Sequence, residues 1–165
     1  MDLRLDSYPR DLSFNPREAF ELAELVEKKT ADFYIRAADD SPNESSAKVF
    51  LGLADVEFQH AQVFLACKDM LPAAGGGLRG GTRFWPIICQ TLLSGIDTEL
   101  SRLFEGKHTP EDIMKAAMSF ERDSIVFFMA MAQMIPAGEA RNKVERIARE
   151  EMGHLISIAG QMSKL

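Results

Sequence analysis

Two four-residue units carry the chemistry legible in this sequence: Glu57-Phe58-Gln59-His60 and Glu151-Met152-Gly153-His154. In a helix, positions i and i+3 share a face one turn apart, so each unit offers a carboxylate and an imidazole in one direction. Two further glutamates belong with them. Glu27 precedes Glu57 by 30 residues, and Glu121 precedes Glu151 by the same 30. One offset of 94 carries Glu27, Glu57 and His60 onto Glu121, Glu151 and His154. Local sequence follows the offset: EKKTADFYIRAA from Glu27 aligns without gaps on ERDSIVFFMAMA from Glu121. Four carboxylates can balance two divalent cations and bridge them at about 3.5–4 Å. The two imidazoles add nitrogen donors that suit iron, and such a set leaves room for a small ligand such as O2 or peroxide.

A lone Glu-x-x-His on a helix is more often a surface contact than a site. Here the surroundings argue otherwise. Both units fall on apolar stripes, where charged side chains are rare unless paired or bound to metal. Four unpaired buried carboxylates would repel one another and cost several kcal/mol each. No Lys or Arg lies on these stripes to compensate. Glu24 and Glu150 lie close by in sequence, at the flank or behind the first set.

The elements that must position the six residues are long helices. Asn15-Pro16-Arg17-Glu18 reads as a helix start, running to about Ala38 with Phe20, Ala23, Glu27, Thr30 and Tyr34 inward. Ser41-Pro42-Asn43-Glu44 repeats that cap logic for a helix to about Met70, with Phe50, Leu53, Glu57, His60, Phe64 and Cys67 on its stripe. Thr109-Pro110-Glu111-Asp112 opens a third, with Met114, Ala117, Glu121, Ser124, Phe128, Met131 and Ile135 inward. Pro136-Ala137-Gly138 breaks it, and the last helix reaches about Met162 with Val144, Ile147, Glu151, His154 and Ile158 inward. Each helix spans about 35 Å at 1.5 Å per residue.

The middle connection is longer. Residues 71–82 hold Pro72 and five glycines, and residues 84–105 form an apolar helix with Ile87, Ile88, Leu92, Ile96, Leu100 and Leu103 on one face. This is the one-crossover topology of a four-helix bundle, with an additional helix inside the crossover (71–108). Residues 1–14 read as an irregular arm, and the whole chain, 1–165, as one domain.

The totals narrow the function classes. A net charge of -6 without a basic block argues against nucleic acid and anionic membrane surfaces as partners. The apolar run from Ile125 to Ile135 is too short to span a bilayer. Two distant cysteines, Cys67 and Cys89, exclude a zinc ribbon, a rubredoxin-like centre and a disulfide framework. Reduced thiols and no apolar leader at residues 1–10 fit a cytoplasmic protein. The nine methionines read as core filler and His108 as solvated.

Taken together, Glu27 with Tyr34 seven residues on, EFQH at 57–60, FERDSIVFF around Glu121 and REEMGHL at 149–155 resemble the rubrerythrin-like branch of the ferritin-like superfamily. The resemblance spans about residues 16 to 162. It implies an all-α, ferritin-like four-helix bundle holding two iron ions per chain, with bridging carboxylates and terminal histidines. Zinc or another divalent metal can substitute in such a ligand set. It also implies a non-haem di-iron oxidoreductase that reduces hydrogen peroxide or O2, with electrons from an external donor protein. The alternative is an iron-binding ferroxidase, or an iron-handling or metal-sensing protein without substrate turnover.

Two departures shape that expectation. The four-cysteine electron-delivering domain of rubrerythrins is missing, and Ser124 stands where those enzymes carry an extra glutamate. The carboxylate-for-histidine exchange of those enzymes thus lacks one partner, and a simpler, more symmetric site is expected. Tyr34 could hydrogen-bond a carboxylate or donate an electron as a catalytic residue, or be a core aromatic. Its mirror position holds Phe128. A homodimer is expected, with the 84–105 helix and Trp85 as its surface or else simply covering the bundle.

Overall fold

The computed structural model describes residues 16–71 and 85–163. The N-terminal arm, the Asn15 cap, the glycine-rich stretch and the Trp85 and Cys89 side chains lie outside the described residues. Five helices are present among those described: α1 (Pro16–Asp39), α2 (Glu44–Asp69), α3 (Trp85–Phe104), α4 (Pro110–Met134) and α5 (Glu139–Met162). Short links make α1–α2 and α4–α5 antiparallel hairpins. The hairpins meet along α1–α4 and α2–α5.

Every expected stripe residue of α1, α2 and α4 is buried, and so are those of α5 except His154, which keeps slight exposure. The 3.6-residue period thus predicts the packing face of all four bundle helices. Burial does not form one continuous core. One apolar cluster gathers Phe20, Phe64, Phe128, Met131 and Ile147. The other gathers Phe33, Tyr34, Phe50, Phe120 and Ile158. The charged layer lies between them.

Helix α3 runs alongside α1 in the same direction. Lys29 pairs with Asp97 midway, and the Phe33 and Phe104 rings meet 5.9 Å apart nearer the end. Ile96 and Leu103 of α3 are fully buried against the bundle. The helix therefore covers α1 and α4 and delivers the chain to the start of α4. Phe33 also meets Phe120 of α4 edge-on at 4.9 Å, so one ring ties three helices together.

Helix boundaries show where capping chemistry decides. At α4, Thr109 and Asp112 form a reciprocal capping box, so the shorter Asp reaches as Glu would. At α2 the cap is Asn43, whose side chain accepts from the Ser46 backbone N–H at 2.9 Å. Repetition of the first-helix pattern pointed to Ser41 with Pro42 inside the helix. Ser41 instead donates to the Ala37 carbonyl at 2.7 Å and closes α1, leaving Pro42 in the turn. The α4–α5 turn works differently: Gly138 precedes α5 with φ +156°, a conformation that favours glycine, and offers no side-chain cap.

Three unforeseen details complete the frame. Arg17 donates to the Lys68 and Leu71 carbonyls at 3.0 and 2.9 Å, satisfying the open end of α2. His108 is only partly solvated: its Nδ1 donates to the Leu103 carbonyl at 2.6 Å and its ring meets Phe104 edge-on. Met114 and Met131 fill the core as expected, but Met70, Met129 and Met152 are about half exposed and fill nothing.

Candidate metal centre

The six singled-out residues come together midway along the bundle, between the two apolar clusters. Glu27 arrives from α1, Glu57 and His60 from α2, Glu121 from α4, and Glu151 and His154 from α5. The four carboxylates are at most 1% exposed. Their donor atoms fall into two sets, each within 4.8 Å: Glu27, Glu57, His60 and Glu151; and Glu57, Glu121, Glu151 and His154. The sets overlap in Glu57 and Glu151. The offset of 94 converts one set into the other, so the sequence repeat is a spatial pseudo-twofold.

Each imidazole turns Nδ1 into the cluster. His60 Nδ1 lies 2.8 Å from Glu151, 3.2 Å from Glu57 and 3.7 Å from Glu27. His154 Nδ1 lies 3.0 Å from Glu57, 3.0 Å from Glu151 and 3.6 Å from Glu121. The two rings are nearly parallel, with centroids 5.7 Å apart. One nitrogen has one bonding direction and cannot satisfy three carboxylates. Accordingly one oxygen of each glutamate, namely Glu27 Oε1, Glu57 Oε1, Glu121 Oε2 and Glu151 Oε1, is buried without a hydrogen bond. Glu57 Oε1 and Glu151 Oε1 are close to a ring nitrogen but out of line with its N–H.

Electrostatics show how strongly the buried acids and imidazoles act on one another. Burial, reinforced by the neighbouring carboxylates, raises Glu27 well above the usual range. Burial likewise raises Glu121, against the lowering bond from His154. Burial alone would lower both histidines. Hydrogen bonds to Glu151 and Glu57 prevail at His60, which is pushed up to about 10. Bonds to Glu121, Glu151 and Glu57 push His154 up to about 12. Burial would raise Glu151, but the two imidazoles hold it down at about 2. The acids pushed up and the imidazoles pushed up both favour holding protons where no cation offsets the carboxylates. The unpaired oxygens and converging nitrogens fit two divalent cations, which would replace those protons.

Around the six, the symmetry fails. The Tyr34 hydroxyl, fully buried, donates to Glu121 Oε1, while its mirror residue Phe128 can offer Glu27 nothing. Burial raises the Tyr34 pKa further, so the phenol keeps its proton. Glu150 accepts from His60 Nε2 at 2.9 Å. Its mirror position is Val56. Of the two places the sequence allows Glu150, at the flank or behind the first set, it takes the second; which histidine it meets is signalled only by the mismatch with Val56 at the offset of 94. Glu24 pairs with Lys28 at 2.6 Å. Ser124 is buried in α4 one turn from Glu121, and its mirror, Thr30, donates to the Val26 carbonyl at 3.1 Å.

No protein-family model matches the chain, and no curated protein matches it. Among solved structures it is similar to a candidate ferritin-like diiron-carboxylate protein from Thermotoga maritima, with a TM-score of 0.70 and 21% identity. The match covers 93% of this chain and 98% of that one. The fold is ferritin-like. At that identity the likeness speaks for the bundle and its crossover, and the chemistry rests on the cluster itself. No helix among the described residues is long and apolar enough to cross a membrane.

Proposed function

We propose that Glu27, Glu57, His60, Glu121, Glu151 and His154 hold two iron ions, and that the chain is a rubrerythrin-like, non-haem di-iron oxidoreductase. Its substrate is hydrogen peroxide or O2, and its electrons come from an external donor protein, in a cytoplasmic homodimer. The observation that carries this reading is the overlap of two donor sets in Glu57 and Glu151. An overlap of that kind suits paired ions rather than separate ones. Charge balance adds to it, since four carboxylates match two divalent cations.

Two iron ions, when bound, would supply the two electrons that, with two protons drawn from solvent, reduce one peroxide to two waters, and the external donor would restore those electrons. The chain's own residues do the rest. Glu57 and Glu151 would serve both positions, while Glu27 with His60 and Glu121 with His154 would each serve one. Tyr34 holds a proton on its oxygen beside Glu121. The phenylalanine-rich clusters above and below keep bulk water out. His154, with 12% of its side chain exposed, is the most exposed of the six and the side from which a small oxidant would approach. The groove between α3 and α4, about 730 Å³, is lined by none of the six residues.

A second reading is iron handling, in which ferrous iron is bound and oxidised without turnover. The cysteine count favours it, because two separated cysteines provide no electron relay within the chain. Stopped-flow mixing of anaerobic, ferrous-loaded protein with peroxide or O2 separates the two. Oxidation by peroxide faster than that of free ferrous iron, and sustained by an added donor, supports the reductase. A single oxidation per iron loaded, fastest with O2, supports iron handling. No acceleration by either oxidant overturns both.

A further inference from the structure

The six residues are symmetric, but the atoms that brace them are not. We propose that the two metal positions are inequivalent and fill in order, the Glu27/His60 position first, because Glu150 braces His60 alone. The inference rests on the two-metal reading above and adds to it a loading order and a positioning residue.

Three observations carry it. First, an ionised carboxylate can only accept hydrogen bonds, so the 2.9 Å contact between His60 Nε2 and Glu150 Oε2 places the ring proton on Nε2. When a cation displaces the Nδ1 proton, the remaining proton stays on Nε2, and the Nδ1 lone pair faces the position bounded by Glu27, Glu57 and Glu151. The same contact fixes the ring plane and increases the basicity of Nδ1, as outer carboxylates do for metal-bound histidines generally. Arg146 of α5, 3.5 Å from the other oxygen of Glu150, steadies that acid in turn. Second, His154 lacks this brace. Among the described residues nothing is within hydrogen-bond distance of its Nε2, and the mirror of Glu150 is the half-buried Val56. Its tautomer and ring angle are therefore set only by the cluster it faces. Third, the Tyr34 hydroxyl occupies Glu121 Oε1, so that carboxylate reaches a cation with one oxygen already engaged. Phe128, at the mirrored position, has no hydroxyl with which to engage Glu27, whose Oε1 is without a hydrogen bond. Both asymmetries act in the same direction, strengthening the Glu27/His60 position and weakening the Glu121/His154 position.

Titration of the metal-free chain with Co²⁺, followed by calorimetry and visible absorption, tests the order. Two steps are expected, separated by about tenfold or more. Glu150→Ala should weaken the tighter step by about 10- to 100-fold, the usual effect of losing an outer partner of a ligating histidine. Glu150→Gln keeps an acceptor for Nε2–H and should recover most of that loss. Val56→Glu supplies the missing partner to His154 and should tighten the weaker step, so the gap narrows from the other side. Negative coupling through the shared Glu57 and Glu151 could also separate two equivalent steps. A gap of that origin would respond to neither Glu150→Ala nor Val56→Glu, and such insensitivity overturns the proposal. Two equal steps in the unaltered chain overturn the loading order while leaving the two-metal reading intact. Absence of Co²⁺ binding overturns both. Glu150 is 43% exposed, so its variants should fold, and thermal melting of the metal-free forms checks that they do.

Discussion

The α1–α2 hairpin and the α4–α5 hairpin present the same three groups to the bundle centre but differ in what stands behind them. Inside, Glu27, Glu57 and His60 superpose on Glu121, Glu151 and His154 by one offset. One shell further out, Tyr34 faces Phe128 and Val56 faces Glu150 across the same pseudo-twofold. The contrast has a physical origin. Four buried carboxylates need four compensating charges, and that balance tolerates no change within the six. A phenol or an outer carboxylate adds only one hydrogen bond, so the halves are free to differ there. Both asymmetric contacts cross between hairpins: Tyr34 of α1 reaches Glu121 of α4, and Glu150 of α5 reaches His60 of α2. The symmetric part builds the centre, and the asymmetric part distinguishes its two halves.

The largest expected effect comes from breaking the shared residues. Glu57→Ala or Glu151→Ala removes a donor from both sets, so the chain should no longer bind two metals. Glu27→Ala or Glu121→Ala removes a donor from one set only and should leave one position working. Metal analysis after loading and desalting reads the stoichiometry. Two metals per chain retained by Glu57→Ala would end the distinction between shared and unshared carboxylates.

Removing the metal should cost the fold several kcal/mol, because buried carboxylates lose their counterions. At about 2–4 °C per kcal/mol for a chain of this size, the melting temperature should fall by on the order of 10 °C. The fall should depend on pH with a definite sign. In the folded metal-free chain His60 titrates at about 10 and His154 at about 12, against about 6.5 when unfolded. Stability from a raised pKa is present below the unfolded value and lost as pH rises through the folded one. The metal-free melting temperature should therefore decline from about pH 6.5 upward, and the raised Glu27 and Glu121 act in the same sense from lower pH. Glu151 acts oppositely, its contribution being lost as pH falls toward about 2. The metal-loaded chain has exchanged these protons for cations and should be nearly flat between pH 7 and 9. Parallel slopes for both forms, by calorimetric melting across that range, would contradict a buried site.

How far the sequence predicts each half follows from the range of the interaction. Stripe residues such as Phe20, Leu53, Met114 and Ile147 repeat at helical spacing, so burial follows from local pattern. Glu57 and His60 are legible for the same reason, since three residues on a helix fix their relative direction. Glu150 is different: it sits off the stripe, and only the packing of α5 against α2 shows which histidine it meets. Ser41 and Asn43 are both capable caps, and their order around Pro42 is decided by the turn, not by residue type. His108 takes its partners from the closing turn of α3, which no stripe foretells. What is local in the chain is readable; what depends on which helices touch is readable only through the mismatch of the two repeats.

A smaller effect should follow from making the halves alike at Tyr34. Tyr34→Phe copies the mirror residue Phe128 and leaves Glu121 Oε1 without its donor. The loss should be about 1–3 kcal/mol in the metal-free chain, the cost of unpairing a buried acceptor. With metal bound the loss should shrink, because the freed oxygen gains a cation. Denaturant melts of both forms measure that difference. A larger loss in the loaded chain would assign the phenol to the bound state and reverse the weakening of the Glu121/His154 position argued from it.

The smallest effect separates the two hairpin turns, which reach the same geometry by different chemistry. Asn43 caps α2 with its side chain, whereas Gly138 starts α5 by backbone conformation alone. Asn43→Ala should cost about 1 kcal/mol, the usual price of an N-cap, and Asn43→Gly only a few tenths. Gly138→Ala meets no atom within 4 Å, so any loss must come from φ +156° and not from a clash. A strained backbone of that kind costs on the order of 1–3 kcal/mol. If Asn43→Ala and Gly138→Ala melt alike while Gly138→Ser restores stability, the second turn has shifted to a side-chain cap, and the two hairpins share one solution after all. If Gly138→Ser is as unstable as Gly138→Ala, the backbone conformation is what holds α5 in register and keeps His154 opposite His60.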